Sequence, residues 1–319
     1  LRLDTAAGYR GAADLLQPLA KLDELEAGSM RAFALAMLAA DYREADAEPR
    51  AEALLIQPGR ADAVPAYANL ATAALFLGRR AVADAATYAG RAGRSPWAGA
   101  LQGRIGILAG NLEAGVEPAT AAAAATPAPA AAHAVLGDLL RRQRQDPVGA
   151  RAAYAAALAA SPLHPRASYG LAKLALAGQV PLADAIAPLQ RLLGDAQGTP
   201  ANERARAAVL LAAVELRSGD RAAASAALAA APGLDAAARA WAEKASGVMA
   251  AERRGYRAVL GAPPALQTAS DDDPPVASPN PPPPAPPPAV KAAAAKKAPA
   301  KAPAKAPPRK TAVAPVRKA

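Results

Sequence analysis

Cysteine is absent from this chain, and histidine occurs only at His133 and His164. The first absence excludes disulfides, thiol nucleophiles and thiolate metal sites, and it leaves the redox compartment open. Two isolated histidines are poor material for a zinc centre. Aromatic residues are only 3% of 319, while 53% are hydrophobic, so alanine carries the excess. Alanine is the best helix former and buries little area per side chain. The expected core is therefore thin and spread over many closely approaching helices.

Long apolar runs are missing too. The longest uncharged stretch, Pro118 to Gly137, is mostly alanine and is interrupted by Pro127 and Pro129, which makes a poor membrane span. The first residues have no apolar core of a signal peptide, although a start on Leu1 rather than Met suits a fragment, a processed product or an unusual start codon, with room for a signal lost upstream. No Ser-His-Asp order, phosphate-cradling glycine loop or His-Glu-x-x-His is present. Asp23, Glu24 and Glu26 lie close together but suit a solvated helix face. No catalysis, cofactor, metal or small-molecule substrate is expected.

Charge is unevenly placed. The net charge is +10, yet no acidic residue follows Asp273, and nine basic residues do, from Lys291 to Lys318. Residues 1–273 hold 28 basic and 27 acidic side chains, so the body is nearly neutral and the tail is basic. From about Ala262 the chain turns to Asp, Pro, Ala and Lys, with an eight-residue block from Pro281 to Pro288 broken only by Ala285. Such a segment buries too little apolar surface to offset its ordering entropy, so residues 261–319 are expected to be a disordered spacer with extended polyproline character.

Upstream, helix-period patterns alternate with Gly, Pro and Asp punctuation, and no alternating β-branched run appears. The spacing predicts helix pairs at 30–42 with 47–56, 65–77 with 80–91, and 97–109 with 112–125. Three more follow at 131–144 with 147–160, 166–177 with 181–194, and 202–217 with 220–230. Gly78, Gly110, Gly178 and Gly219 sit where left-handed residues would close the first helices. A last helix over 235–260 would cap the array with a polar outer face.

The best pair, 131–162, resembles the tetratricopeptide repeat, a 34-residue helix–turn–helix unit. Leu136-Gly137, Leu140, Ala150, Tyr154, Ala157 and Pro162 match its pattern, with one extra residue in the turn. The next unit matches at Leu171-Ala172, Ala185, Leu189 and Leu192-Leu193, and a third at Leu211-Ala212, Gly219 and Pro232. Leu70-Ala71 and Gly78 form a fair match, whereas the units around Trp97 and Phe33 are poor in register. The resemblance implies an all-α, right-handed α-solenoid: a divergent helical region at 1–61, repeats at 62–234, the cap, then the tail. It is a resemblance to bacterial members of the family, in the cytoplasm or at the cell envelope.

In this family the first helices line a concave groove. The register then implies that Asp138, Arg141, Arg142, Arg166, Tyr169, Lys173, Arg206 and Arg217 face a bound peptide, with Asn69 able to bond its backbone. Six basic residues against one acid would favour an acidic segment. His133 falls at a packing position of the first helix, and His164 is expected in a solvated loop. The implied function is a non-catalytic protein–protein scaffold or adaptor with a protein or peptide partner. Two alternatives rest on the tail. Its Lys-Ala-Pro pattern resembles basic tails that hold nucleic acid by counterion release. It also resembles Pro/Lys spacers of envelope assembly factors, which touch anionic surfaces weakly.

Overall fold

The computed structural model describes residues 5–17, 25–42, 44, 46–55 and 65–231. The expected cap at 235–260, the tail at 261–319, and Asp23 and Glu24 lie outside the described residues. Among the described residues there are thirteen α-helices and no strand. A leading helix, α1 (Ala6–Leu15), lies in the N-terminal region expected to be helical, ahead of the first predicted pair. Six pairs follow it: α2 (Leu25–Tyr42) with α3 (Ala47–Leu55), α4 (Ala66–Gly78) with α5 (Val82–Arg91), and α6 (Pro96–Ala109) with α7 (Leu112–Ala123). The others are α8 (Ala130–Leu139) with α9 (Pro147–Ala160), α10 (Pro165–Leu176) with α11 (Ala183–Gly194), and α12 (Ala201–Ser218) with α13 (Arg221–Ala230).

Local chemistry sets these boundaries. Ser95, Asn111, Asp146 and Asp220 each accept a hydrogen bond from the backbone N–H three residues on, satisfying an end group the helix cannot. Pro96, Pro147 and Pro165 open their helices at the position where a missing N–H costs nothing. Gly110, Gly178 and Gly219 take φ of +73°, +70° and +94° after the first helices, as expected. Gly78 does not; the left-handed residue of that turn is Arg80, at φ +59°.

The extra residue of the fourth pair is absorbed within the helix rather than the loop. After Leu139 the chain runs through a π-helical turn, Leu140–Arg144, and Gln145 closes it at φ +48°. One π turn takes up a single inserted residue without breaking the helix.

Successive pairs pack in chain order. Each first helix lies against its own second helix and against the first helix of the next pair. The mode of contact varies with the small residues available. In the third pair, Gly99, Gly103 and Gly106 of α6 press onto α7; a Cβ on Gly103 would stand 2.9 Å from the Ala119 Cβ and 2.7 Å from Val135. That glycine seam lets α6 and α7 approach closely in the pair whose register around Trp97 is poor. In the fourth and fifth pairs the fully buried Tyr154 ring lies between Gly137 of α8 and Gly170 of α10.

The aromatics concentrate at the N-terminal end. Phe33 meets Trp97 edge-on at 5.3 Å, Tyr67 lies 5.8 Å from Phe33, and Tyr9 of α1 packs against Tyr42 and Trp97 at 6.2 and 6.3 Å. Edge-on pairs of this kind add about 0.5–1.5 kcal/mol beyond burial. They gather α1, α2, α4 and α6 into one core. Beyond this core, α2 also contacts α10, four pairs along. Arg10 of α1 donates to the backbone carbonyl of Gly198, at 3.1 Å, in the loop before α12.

Candidate functional site

Charged side chains of four first helices meet one another. Asp41, at the end of α2, accepts from Arg104 of α6 at 2.5 Å, and Arg104 also donates to the Ala40 carbonyl at 3.1 Å. Both side chains of that pair are 8% exposed. Arg166 of α10 stands 4.0 Å from the same Asp41 carboxylate and donates to Asp138 of α8 at 3.2 Å. Asp138 in turn accepts from the Tyr154 hydroxyl at 2.6 Å, with Arg141 at 3.7 Å. The result is a continuous line, Arg104–Asp41–Arg166–Asp138–Tyr154, running from the first pair to the fifth. It borders a small inner cavity that Met37, Trp97 and Val135 help to line.

Charges taken out of water in this way need partners with good geometry, because the desolvation cost of each is several kcal/mol. Both carboxylates have them. Burial pushes the Tyr154 phenol far above its ordinary range, and the neighbouring Asp138 charge adds to the effect. The hydroxyl is therefore a fixed donor, not an acid–base group.

A second cluster lies on α10 and α12. The Tyr169 hydroxyl donates to the Glu203 carboxylate at 2.6 Å and to its carbonyl at 3.0 Å, and the Arg206 guanidinium stacks over the Tyr169 ring at 4.6 Å. Tyr169 is 4% and Glu203 2% exposed. Burial raises the Glu215 carboxyl, Asp220 raises it further, and the Ser218 hydroxyl partly opposes both.

These contacts redistribute the residues expected to face a ligand. Asp138, Arg166 and Tyr169 are brought onto inner helices but spend their polar atoms on the protein itself. Asn69 is buried on α4. Arg141 and Arg142 in the π turn after α8, Lys173 on α10, and Arg206 and Arg217 on α12 are half-buried. His133 is half-buried on α8, and burial lowers its pKa. His164 differs from the solvated loop residue expected: it is 2% exposed and caps α10, its Nδ1 accepting from the Ala167 N–H at 3.4 Å. Proline on either side of Leu163-His164 makes a tight corner, and the imidazole takes the role Ser or Asp plays elsewhere.

Asp41, Arg104 and Glu203 escaped the sequence reading. The usable signal was a single charge within a run of small and apolar residues, Ala39-Ala40-Asp41-Tyr42 and Leu101-Gln102-Gly103-Arg104-Ile105. No group of three or more His, Cys, Asp or Glu able to hold a metal exists among the described residues. A cleft of about 600 Å³ between the start of α6 and α7, lined by Arg94, Ser95, Gln102 and Glu117, contains no buried charge or nucleophile. Comparison with known proteins returned no matching family model, curated protein or solved structure.

Proposed function

We propose that this chain is a non-catalytic protein–protein interaction scaffold, an α-solenoid of tetratricopeptide-like pairs that captures an acidic partner segment on its inner face. The observation that carries the reading is the serial stacking of six helix pairs, each first helix beside the next. Stacked pairs of this kind form extended binding surfaces, with each unit contacting only its neighbours over most of its length. Electrostatics favours an acidic partner. The carboxylates of Asp138 on α8 and Glu203 on α12 are buried and bonded within the protein, while Arg142 of the π turn, Lys173 of α10 and Arg206 of α12 keep part of their surface in solvent.

The test reverses charge where it reaches solvent. Full-length chain carrying Arg142→Glu and Lys173→Glu is compared with the parent for binding of a fluorescent deca-glutamate peptide by anisotropy, across a salt series. The reading expects salt-dependent binding by the parent, at least tenfold loss in the variant, and retained binding when residues 274–319 are removed. Equal binding by parent and variant would overturn it. Binding lost with 274–319 alone would transfer the function to the basic tail, where the nucleic-acid and envelope alternatives lie.

A further inference from the structure

We infer that the N-terminal pair is a built-in occupant of the inner face, which holds the array closed until a carboxylate-bearing partner displaces it. This rests on the acidic-segment reading and adds a regulatory step to it. Asp41 already supplies to Arg104 and Arg166 what an acidic ligand would supply: a carboxylate aligned with one guanidinium at 2.5 Å and near a second at 4.0 Å. The helix that delivers it, α2, meets α10 over a short stretch only.

The outer fastening of the closed form is light. Arg10 is held by Glu44 at 2.6 Å and reaches across to the Gly198 carbonyl at 3.1 Å, with its side chain 32% exposed. Partly exposed ion pairs of this kind contribute little and are screened by salt. The closed arrangement thus combines a desolvated carboxylate on the basic face with an outer clasp that solvent can reach. Opening would separate α1 and α2 from α10 and the 195–199 loop, and would expose the Asp41 side of Arg166 to an incoming acid. A ligand that binds only the open form pays for the opening in apparent affinity, so weakening the clasp tightens binding.

The absence of native cysteine permits a direct measurement. Spin labels at Ala53→Cys on α3 and Gln190→Cys on α11, both exposed, report the distance across the closure. It is measured in the full chain and in two variants. Asp41→Asn removes the inner carboxylate, and Arg10→Ala cuts the outer clasp at the cost of the Glu44 ion pair, whose carboxylate keeps 18% of its surface in solvent. Deca-glutamate binding is recorded on the same samples. The inference expects a longer distance in Arg10→Ala and in Asp41→Asn, a similar lengthening when deca-glutamate is added to the parent, and binding tightened about tenfold in Arg10→Ala. Unchanged distances in Arg10→Ala, with the fold intact by circular dichroism, would overturn it even if Asp41→Asn fails to fold. Lengthened distances with deca-glutamate affinity equal to the parent's would also overturn it. Lengthened distances with no deca-glutamate bound by any form would support the latch and overturn the acidic-segment reading beneath it.

Discussion

The Tyr154 hydroxyl of α9 donates to the Asp138 carboxylate of α8 at 2.6 Å, joining the two helices of the fourth pair at the point where Arg166 arrives from the fifth. A residue that the repeat pattern supplies for packing thus also anchors the inner charge line. Tyr154→Phe keeps the ring and deletes the bond. It is expected to cost about 1.5–3 kcal/mol, the range for hydrogen bonds to charged groups, measured by urea unfolding.

The same ring dictates two glycines. A Cβ on Gly137 would stand 2.6 Å from Tyr154 Cε1, and one on Gly170 would collide with the ring as well. The ring is fully buried and its hydroxyl is bonded, so it has no room to yield. Gly170→Ala should destabilise by about 1–3 kcal/mol despite alanine's better helix propensity. Gly11→Ala, on α1 where the added Cβ meets nothing within 4 Å, is the control, and should be neutral or stabilising in thermal melts.

Arg104 and Asp41 form a desolvated pair, so each alone is a liability. Arg104→Ala leaves Asp41 with the more distant Arg166 and should cost about 3–5 kcal/mol. Arg79, held by Glu48 and Glu52 on a half-exposed surface, offers the contrast. Arg79→Ala should cost only about 0–1 kcal/mol in the same denaturation assay.

Left-handed backbone gives a prediction of opposite sign at two turns. Gln145 holds φ +48° without being glycine, so Gln145→Gly should stabilise by up to about 1 kcal/mol. Gly219 holds φ +94°, and Gly219→Ala should destabilise by about 1 kcal/mol or more. Paired chemical denaturation curves check both.

Half-buried His133 and buried Glu215 give the stability–pH curve opposing slopes. Burial lowers the His133 pKa below 6.5, so the unfolded chain takes up its proton first. Its contribution is present above pH 6.5 and is lost as pH falls through the lower folded value; His133→Leu should flatten that limb. Glu215 is raised above 4.5, so its contribution is present below pH 4.5 and is lost as pH rises through the folded value. Glu215→Gln should remove that second slope from melting temperatures measured between pH 4 and 8.

The positions of the helix pairs were legible in the sequence because everything that sets them is local. Asn111, Asp146 and Asp220 cap the helices they precede, Gly110 and Gly219 end helices, and alanine fills what lies between. Expected and observed boundaries agree within a few residues from Ala47 to Ala230. Even the extra residue in the fourth pair was visible, although only the structure placed it in a π turn. The roles of Asp41, Tyr169 and His164 depended on partners or surroundings that spacing within one pair does not reveal. Asp41 and Arg104 are 63 residues apart, and Tyr169 and Glu203 are 34 apart. By itself the sequence determined a row of alanine-rich helix pairs, since capping, propensity and helical periodicity act within a few residues. Only the tertiary structure decided that α2 meets α10 and that Asp41 lies between Arg104 and Arg166, because those contacts join residues contributed by different pairs.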